Sequence, residues 1–415
     1  MRVADPENTI TQQIELLRLL REGPRTRRNL SDSSGYSISL VRQHMQVLEA
    51  NGLVVDDGKM TSDTRGRPST RWSVDPDACL AVGLDVGGIS MRIVAVDARG
   101  ETLYRSTAPT PIAPTGDDLL RTLGVFVLSA FNALGTRRAF IRGLGISFSG
   151  FVDAQLGLSL DAANIVAAQQ LPLQTYFHET IGVPIIVEDS SRAMAIAQMR
   201  YGAARGLQNF ITINVGAGIG TGVVINGYLY RGDGGLAGEL GHIPMLPDGA
   251  VCRCGSQGCL ETLSSGSAIA ARAQFQLEQS TPSLLHNLCH RRPETVTTLM
   301  VTNAARVGDK LAVEVLTEAG DWLGMATATA INLYSPRIVV FTGGVMRSND
   351  LFLNIVEDAA RRYILRQLPQ PFPMVLSTLD DYEAALGAAT LVIDHEFGQG
   401  FAQRLAAQSY ELQLS

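Results

Sequence analysis

Cysteine is scarce in this 415-residue chain, which holds five, together with two tryptophans and 6% aromatic residues overall. So few thiols exclude the disulfide framework on which small secreted domains rely. No apolar run reaches the ~18 residues that a membrane span requires. The N-terminus, MRVADPENTI, lacks the basic-then-apolar layout of a signal peptide. A cytoplasmic protein without a membrane partner is therefore expected. Low-complexity segments are absent as well, and 46% hydrophobic with 18% charged residues reads as mixed α/β and globular. At this length one hydrophobic core has normally stopped growing, so two or more domains are expected. The net charge of −6 argues mildly against nucleic acid as a partner. That average conceals a division: residues 1–75 carry 11 Lys/Arg against 10 Asp/Glu, and the remainder 23 against 30.

The slightly basic head has its own pattern. Ile10, Ile14, Leu16, Leu17 and Leu20 recur at helical spacing until Gly23-Pro24 ends the run. TRRNLSDSSG follows as a short second helix that can stop near Gly35, and SISLVRQHMQVLEANGLV supplies a third. In that third helix Val41, Met45 and Leu48 point inward and leave Ser37, Ser39, Arg42, Gln43 and Gln46 outward. Such a face suits base edges and phosphates, because Arg and Gln make bidentate contacts with guanine and adenine. The next stretch, LVVDDGKMTSDTRGRPSTRWSV, predicts a hairpin wing whose Arg65, Arg67 and Arg71 would reach a minor groove. Helix-turn-helix plus wing makes double-stranded DNA the expected partner; the plainer alternative is a helical docking module with a solvated basic loop.

Beyond Asp75-Pro76, Asp85 precedes Gly87-Gly88 in a strand-to-strand turn, the place where an actin-like phosphotransferase fold meets nucleotide phosphates and Mg²⁺. NFITINVGAGIGTGVVINGYLYRG repeats the pattern, which implies duplicated lobes facing one cleft. Three of the five cysteines crowd together in GHIPMLPDGAVCRCGSQGCLETL. With His242, they make Cys252, Cys254 and Cys259 a set of one imidazole and three thiolates, a closed tetrahedral site for structural Zn²⁺. Four protein ligands leave no position for catalytic water, so the metal would tie down a loop.

With these residues assembled, the chain resembles the ROK family (repressors, open reading frames and kinases), and within it the winged-helix regulators of xylose, glucose and N-acetylglucosamine genes. The resemblance rests most specifically on GELGHIPMLPDGAVCRCGSQGCLE, supported by GLDVGG, GLGISFSGFVD, VEDSSRAM, NVGAGIGTG and IVVFTGGV. It implies an α/β, actin-like (ribonuclease H-like) two-lobed sugar-kinase fold behind a winged helix-turn-helix domain at residues 1–75. The first lobe would span 80–190, joined by a C-terminal helix at about 383–398, and the second 191–382 with the zinc loop. Carried onto matching positions, the monosaccharide contacts are Asn164, Glu188, Asp189, Glu239, His242 and Glu261, Asp189 matching the kinases' catalytic base. The family's phosphate loop D-x-G-G-T-K is here Asp85-Val86-Gly87-Gly88-Ile89-Ser90, and Ala217 stands where kinases usually carry a threonine. Losing two donors around a transferring phosphate is hard to offset. The resemblance therefore implies a sugar-responsive repressor that is not an enzyme and keeps Asp189 as a vestigial base. It also implies a homodimer, able to pair further to a tetramer. A sugar kinase with a regulatory head is the alternative.

Overall fold

A computed structural model of the chain describes residues 6–60, 69–162, 165–348 and 350–403. In the head, helix α1 (Pro6–Arg21) buries Leu16, Leu17 and Leu20, and the short strand β1 (Arg25–Thr26) leads into α2 (Arg27–Ser34). Thr26 and Asn29 form a capping box at the start of α2, and Gly35, with φ 75°, closes it in the left-handed conformation. Ser37 caps α3 (Ile38–Ala50) by accepting from the Leu40 N–H at 3.2 Å. Strands β2 (Val54–Met60) and β3 (Ser69–Val74) then pair antiparallel, with β1 on the other edge of β3.

Two five-stranded sheets follow. The first contains β4 (Leu80–Val86), β5 (Ser90–Val96), β6 (Thr102–Pro109), β7 (Ile141–Phe148) and, after the hairpin β8 (Phe151–Asp153) and β9 (Leu158–Asp161), β10 (Ile185–Asp189). The second contains β11 (Phe210–Val215), β12 (Ile219–Ile225), β13 (Tyr228–Leu229), β14 (Val339–Thr342) and β15 (Met374–Leu376). In both sheets the first strand is central, with the second and third added antiparallel on one side and the fourth and fifth parallel on the other. This repeated order, 3-2-1-4-5, is the duplication that the two glycine turns imply, and the mixed α/β actin-like class follows from it.

Helices α4 (Gly116–Ala133) and α5 (Leu173–Ile181) cover the first sheet, and α6 (Ser190–Tyr201) leads from it to the second. The second sheet carries α7 (Glu261–Ser264), α8 (Gly266–Glu278), α9 (Leu285–Leu288), α10 (Thr298–Arg306), α11 (Lys310–Tyr334), α12 (Gly344–Ser348) and α13 (Asp350–Arg361). Finally α14 (Glu383–His395) returns to the first lobe and packs on α6, β4 and β7. Small residues make that return possible. A Cβ on Gly83 would lie 1.9 Å from the Ala385 carbonyl oxygen, on Gly145 2.0 Å from that of Ala388, and on Gly387 1.8 Å from that of Ala193.

The head is not tethered by a loose linker. Leu16, Leu17, Leu30, Val41, Met45, Trp72 and Val74 share one continuous core with Ala81, Val94 and Val96 of the first sheet and Ala385, Ile393, Phe397 and Phe401. Among the described residues no helix is long and apolar enough to cross a membrane.

Because backbone would have to move, Gly387→Ala should lower stability by about 1–3 kcal/mol, as overpacking does. Gly398→Ala, whose added carbon meets nothing within 4 Å, should leave the thermal midpoint where it is. Equal midpoints for the two variants would show that α14 is not held by this seam.

Candidate ligand cleft and metal centre

Strand ends deliver the carboxylates. Register places Asp85 at the end of β4 opposite Ser147 of β7, whose hydroxyl donates to Asp85 Oδ1 at 2.9 Å. Arg92 of β5 stands 3.8 Å from the other oxygen. Burial pushes Asp85 up to about 6, against the pull of Ser147 and Arg92, with the charges of Asp189 and Glu383 adding to the rise. Asp189 ends β10 and caps α6, its Oδ1 accepting from the N–H groups of Ser191 and Arg192 at 2.9 and 3.1 Å. Burial takes this group too to about 6, with Arg192 the main opposing charge. Glu239 is driven to about 7 by burial and then by Asp189, with Glu261 adding to the rise. Asp85, Asp189, Glu239 and Glu261, far apart in sequence, thus converge closely enough to feel one another's charge.

The glycine turns differ from open phosphate cradles. In the first, Gly87 N–H donates to the Ser90 carbonyl at 3.1 Å, Thr110 binds the Gly87 carbonyl, and the Ile89 side chain is 80% exposed. In the second, Glu261 Oε2 accepts from the Ile219 N–H at 2.9 Å and lies where a Cβ on Gly218 would fall, 2.4 Å away. Glu261 therefore braces this turn from beneath.

Glu188 is 1% exposed and both of its oxygens are engaged. Arg192 Nε donates to Oε1 at 2.7 Å, and Arg231 grips Oε2 through Nε at 2.8 Å and a terminal nitrogen at 2.7 Å. Arg192 also donates to the Gly235 carbonyl at 2.7 Å. Glu188 thereby clamps the Tyr230–Gly238 loop of the second lobe onto the start of α6. The repulsion it would exert on an anion is cancelled locally. The i, i+4 spacing of Glu188 and Arg192 was the available signal for half of this clamp. Asn164 lies outside the described residues.

His242 Nδ1 lies 3.6 Å from Cys252 Sγ, and Cys254 Sγ 3.7 Å from Cys259 Sγ, with all four ligand atoms within 4.8 Å of one another. A tetrahedron with Zn–S of about 2.3 Å and Zn–N of about 2.0 Å has edges of about 3.8 and 3.5 Å, so the donor set fits a zinc-sized ion. Gly255 and Gly258, with φ 91° and 63°, make the turns between ligands, and a Cβ on Gly258 would meet the Leu246 carbonyl oxygen at 1.7 Å. The His242 ring, with its Nδ1 turned to the cysteines, sits 5.3 Å from that of Phe151 in the β8–β9 hairpin. It therefore stands at the seam between lobes.

On the head, Ser37, Ser39, Arg42, Gln43 and Gln46 are all exposed, while Val41, Met45 and Leu48 are fully buried. His44, on the buried side, lies 3.0 Å from Gln12 Oε1 and 3.4 Å from Gln13 Nε2. Arg71 pairs with Asp57 across the hairpin at 2.8 Å. Arg65 and Arg67 fall outside the described residues.

A missed cluster lies at the foot of the cleft. Glu383, buried at the start of α14, takes hydrogen bonds from Thr342, Arg347, Ser377 and Gln198. Arg347 also reaches Asp381 at 2.7 Å, which stands 3.9 Å from Arg92. No local motif announces this hub, because its members come from both lobes.

The ROK family model matches residues 81–395. A glucokinase of Streptomyces coelicolor is 31% identical over 316 residues, covering 75% of this chain and 97% of that protein. The xylose repressor of Bacillus subtilis is 25% identical over 389 residues, covering 93% and 95%. Among solved structures, a ROK family transcriptional regulator homologous to the E. coli MLC protein superposes with a TM-score of 0.80 at 26% identity, covering 95% of this chain and 98% of that one. A ROK family glucokinase from Streptomyces griseus, solved with glucose and AMPPNP, gives 0.67 at 30% identity over 75% and 98%. The duplicated strand order and this match across three quarters of the sequence make the chain a member of the ROK family.

Proposed function

We propose that the protein is a cytoplasmic, sugar-responsive DNA-binding regulator, acting as a repressor dimer of carbohydrate genes, that binds a monosaccharide between its lobes without phosphorylating it. The observation that carries this reading is the exposed Ser, Arg and Gln face of a capped third helix in a head that shares its core with the sugar-kinase-like body. Similarity to a ROK regulator over 95% of the chain supports it. Ser37, Ser39, Arg42, Gln43 and Gln46 would enter the major groove, with Arg71 on the wing beside it. Asp189, Glu239, His242 and Glu261 would meet sugar hydroxyls, which carboxylates bridge well. Such a site rejects sugars that leave its buried acceptors unpaired.

The first glycine turn supports a reading without phosphoryl transfer. A phosphoryl-transfer site needs donors around the γ-phosphate, and Ile89 offers an exposed apolar branch in that place. The kinase reading retains one specific support, Asp189 at the start of α6 together with 31% identity to a glucokinase. His242, Cys252, Cys254 and Cys259 would hold structural Zn²⁺. The ion would supply cross-linking of the loop, and a His242 bound through Nδ1 would leave Nε2 for a ligand.

A thermal-shift panel of D-glucose, D-xylose and N-acetyl-D-glucosamine tests the reading. One sugar should raise the midpoint in a concentration-dependent way, indifferent to Mg-ATP; sugar-dependent ADP release lost in Asp189→Asn would establish the kinase instead. Sugar affinity should weaken as pH falls through about 7, where Glu239 takes up a proton, and again through about 6, where Asp189, faced by Arg192, Glu188, Glu239 and Asp85, does so and ceases to be a full acceptor. Asp189→Asn should flatten that slope in titration calorimetry. Metal analysis should find one zinc per chain, and Cys259→Ser should lose it along with several degrees of thermal midpoint. Wild-type stability in the variant would mean that the loop folds without metal.

A further inference from the structure

Helix α6 has one end in the ligand cleft and the other against the head. Its N-terminus is capped by Asp189, and a Cβ on Gly220 of the second lobe would lie only 1.9 Å from its Ser191 hydroxyl. About 15 Å further on, at 1.5 Å per residue, Arg200 pairs with Asp394 of α14 at 3.0 Å. The same oxygen, Asp394 Oδ1, also receives Arg21, the last residue of α1 in the head. Two guanidiniums from different parts of the molecule thus share one carboxylate oxygen, in a place where Arg21 is 7% and Asp394 25% exposed.

We propose that Asp394 is the joint through which the state of the ligand cleft reaches the DNA-binding head, an inference that rests on the sensor reading above. A joint needs to tell apart two arrangements of the parts it connects. Two cations competing for one oxygen do so, because any rotation of α6 that draws Arg200 away leaves Arg21 a stronger partner, and the reverse. An apolar contact would dock the head as firmly without this sensitivity. The surroundings keep the three groups in register. Gly387 and Ala193 hold α6 and α14 in backbone contact, and Arg21 lies over the Phe397 ring at 5.6 Å. Arg205, just past α6, donates to the Glu22 carbonyl at the end of α1 at 2.6 Å, so α6 reaches the head at a second point.

The test uses the full-length chain, a DNA duplex from its own upstream region, and D-glucose and D-xylose as probes. In the wild type, sugar should change DNA affinity by about fivefold or more. In Asp394→Asn and in Arg200→Gln, sugar Kd from calorimetry should stay within about twofold while that ratio falls to about one. The proposal is overturned if both variants keep the wild-type ratio, or if they lose sugar binding together with it, which would mark Asp394 as merely structural. Arg200→Gln leaves the Arg21–Asp394 pair in place and so guards against a misfolded head. If neither sugar binds the wild type, the sensor reading fails, and a second arm still tests the joint. Asp189→Ala, which uncaps α6, should alter hydrogen exchange in α1 in the wild-type background and have no effect there in Asp394→Asn. Equal effects in both backgrounds, or none in either, overturn the proposal.

Discussion

The backbone-distance approach of α14 to α6, β4 and β7 is the constraint from which the other features follow. Helices ordinarily pack 8–10 Å apart because side chains keep them there. Here Gly83, Gly145 and Gly387 remove the Cβ atoms that would meet Ala385, Ala388 and Ala193. The gain is rigidity at both ends of α14. Its first residue, Glu383, is delivered to the foot of the cleft to be held by Gln198, Thr342 and Arg347 of the second lobe, and Asp394, near its other end, is delivered to the head. A helix held off by larger side chains could not serve both places.

Electrostatics in the cleft are a consequence of crowding carboxylates where water is scarce. Asp85 and Asp189 near 6 and Glu239 near 7 are groups whose ionised forms cost energy. Folding of the unliganded protein is therefore favoured as pH falls from about 7 toward the unfolded value near 4, since the native state holds the extra protons. A ligand whose hydroxyls donate to these oxygens offsets part of that cost, and this is a physical reason for lobe closure to depend on occupancy. Glu188 is the exception. With two arginines on one carboxylate it is already satisfied and needs no ligand.

How much was legible in the sequence depended on whether a feature is local. His242, Cys252, Cys254 and Cys259 announced their cluster because four donors within eighteen residues have few other uses. The head helices were readable from apolar spacing and from Gly35 at the end of the second, whereas Ser37, read as an outward contact, also caps the third. Strand-flanked glycine turns gave the duplication, though not the strand order. The clamp on Glu188 was hidden because Arg231 lies 43 residues away, and the Asp394 joint because its partners are 373 and 194 residues distant. Charged residues in a surface-like pattern carry no mark of the partner that buries them.

These long-range contacts bear on how a DNA-binding head can be controlled by a distant cleft. A head on a flexible linker would feel the body only through its average separation from a second copy. This head cannot behave so, because Trp72 and Val74 share a core with Val94 and Phe397, and Arg99 binds the Val74 carbonyl and Ser73 hydroxyl at 2.8 Å. Head, first sheet and α14 share one core, with the Arg21–Asp394 pair at its edge, and α6 runs from this core to the second lobe. On the proposed reading a change at Asp189 would alter how the head is carried, and in a dimer on two half-sites a small rotation of each copy would be enough to spoil their spacing.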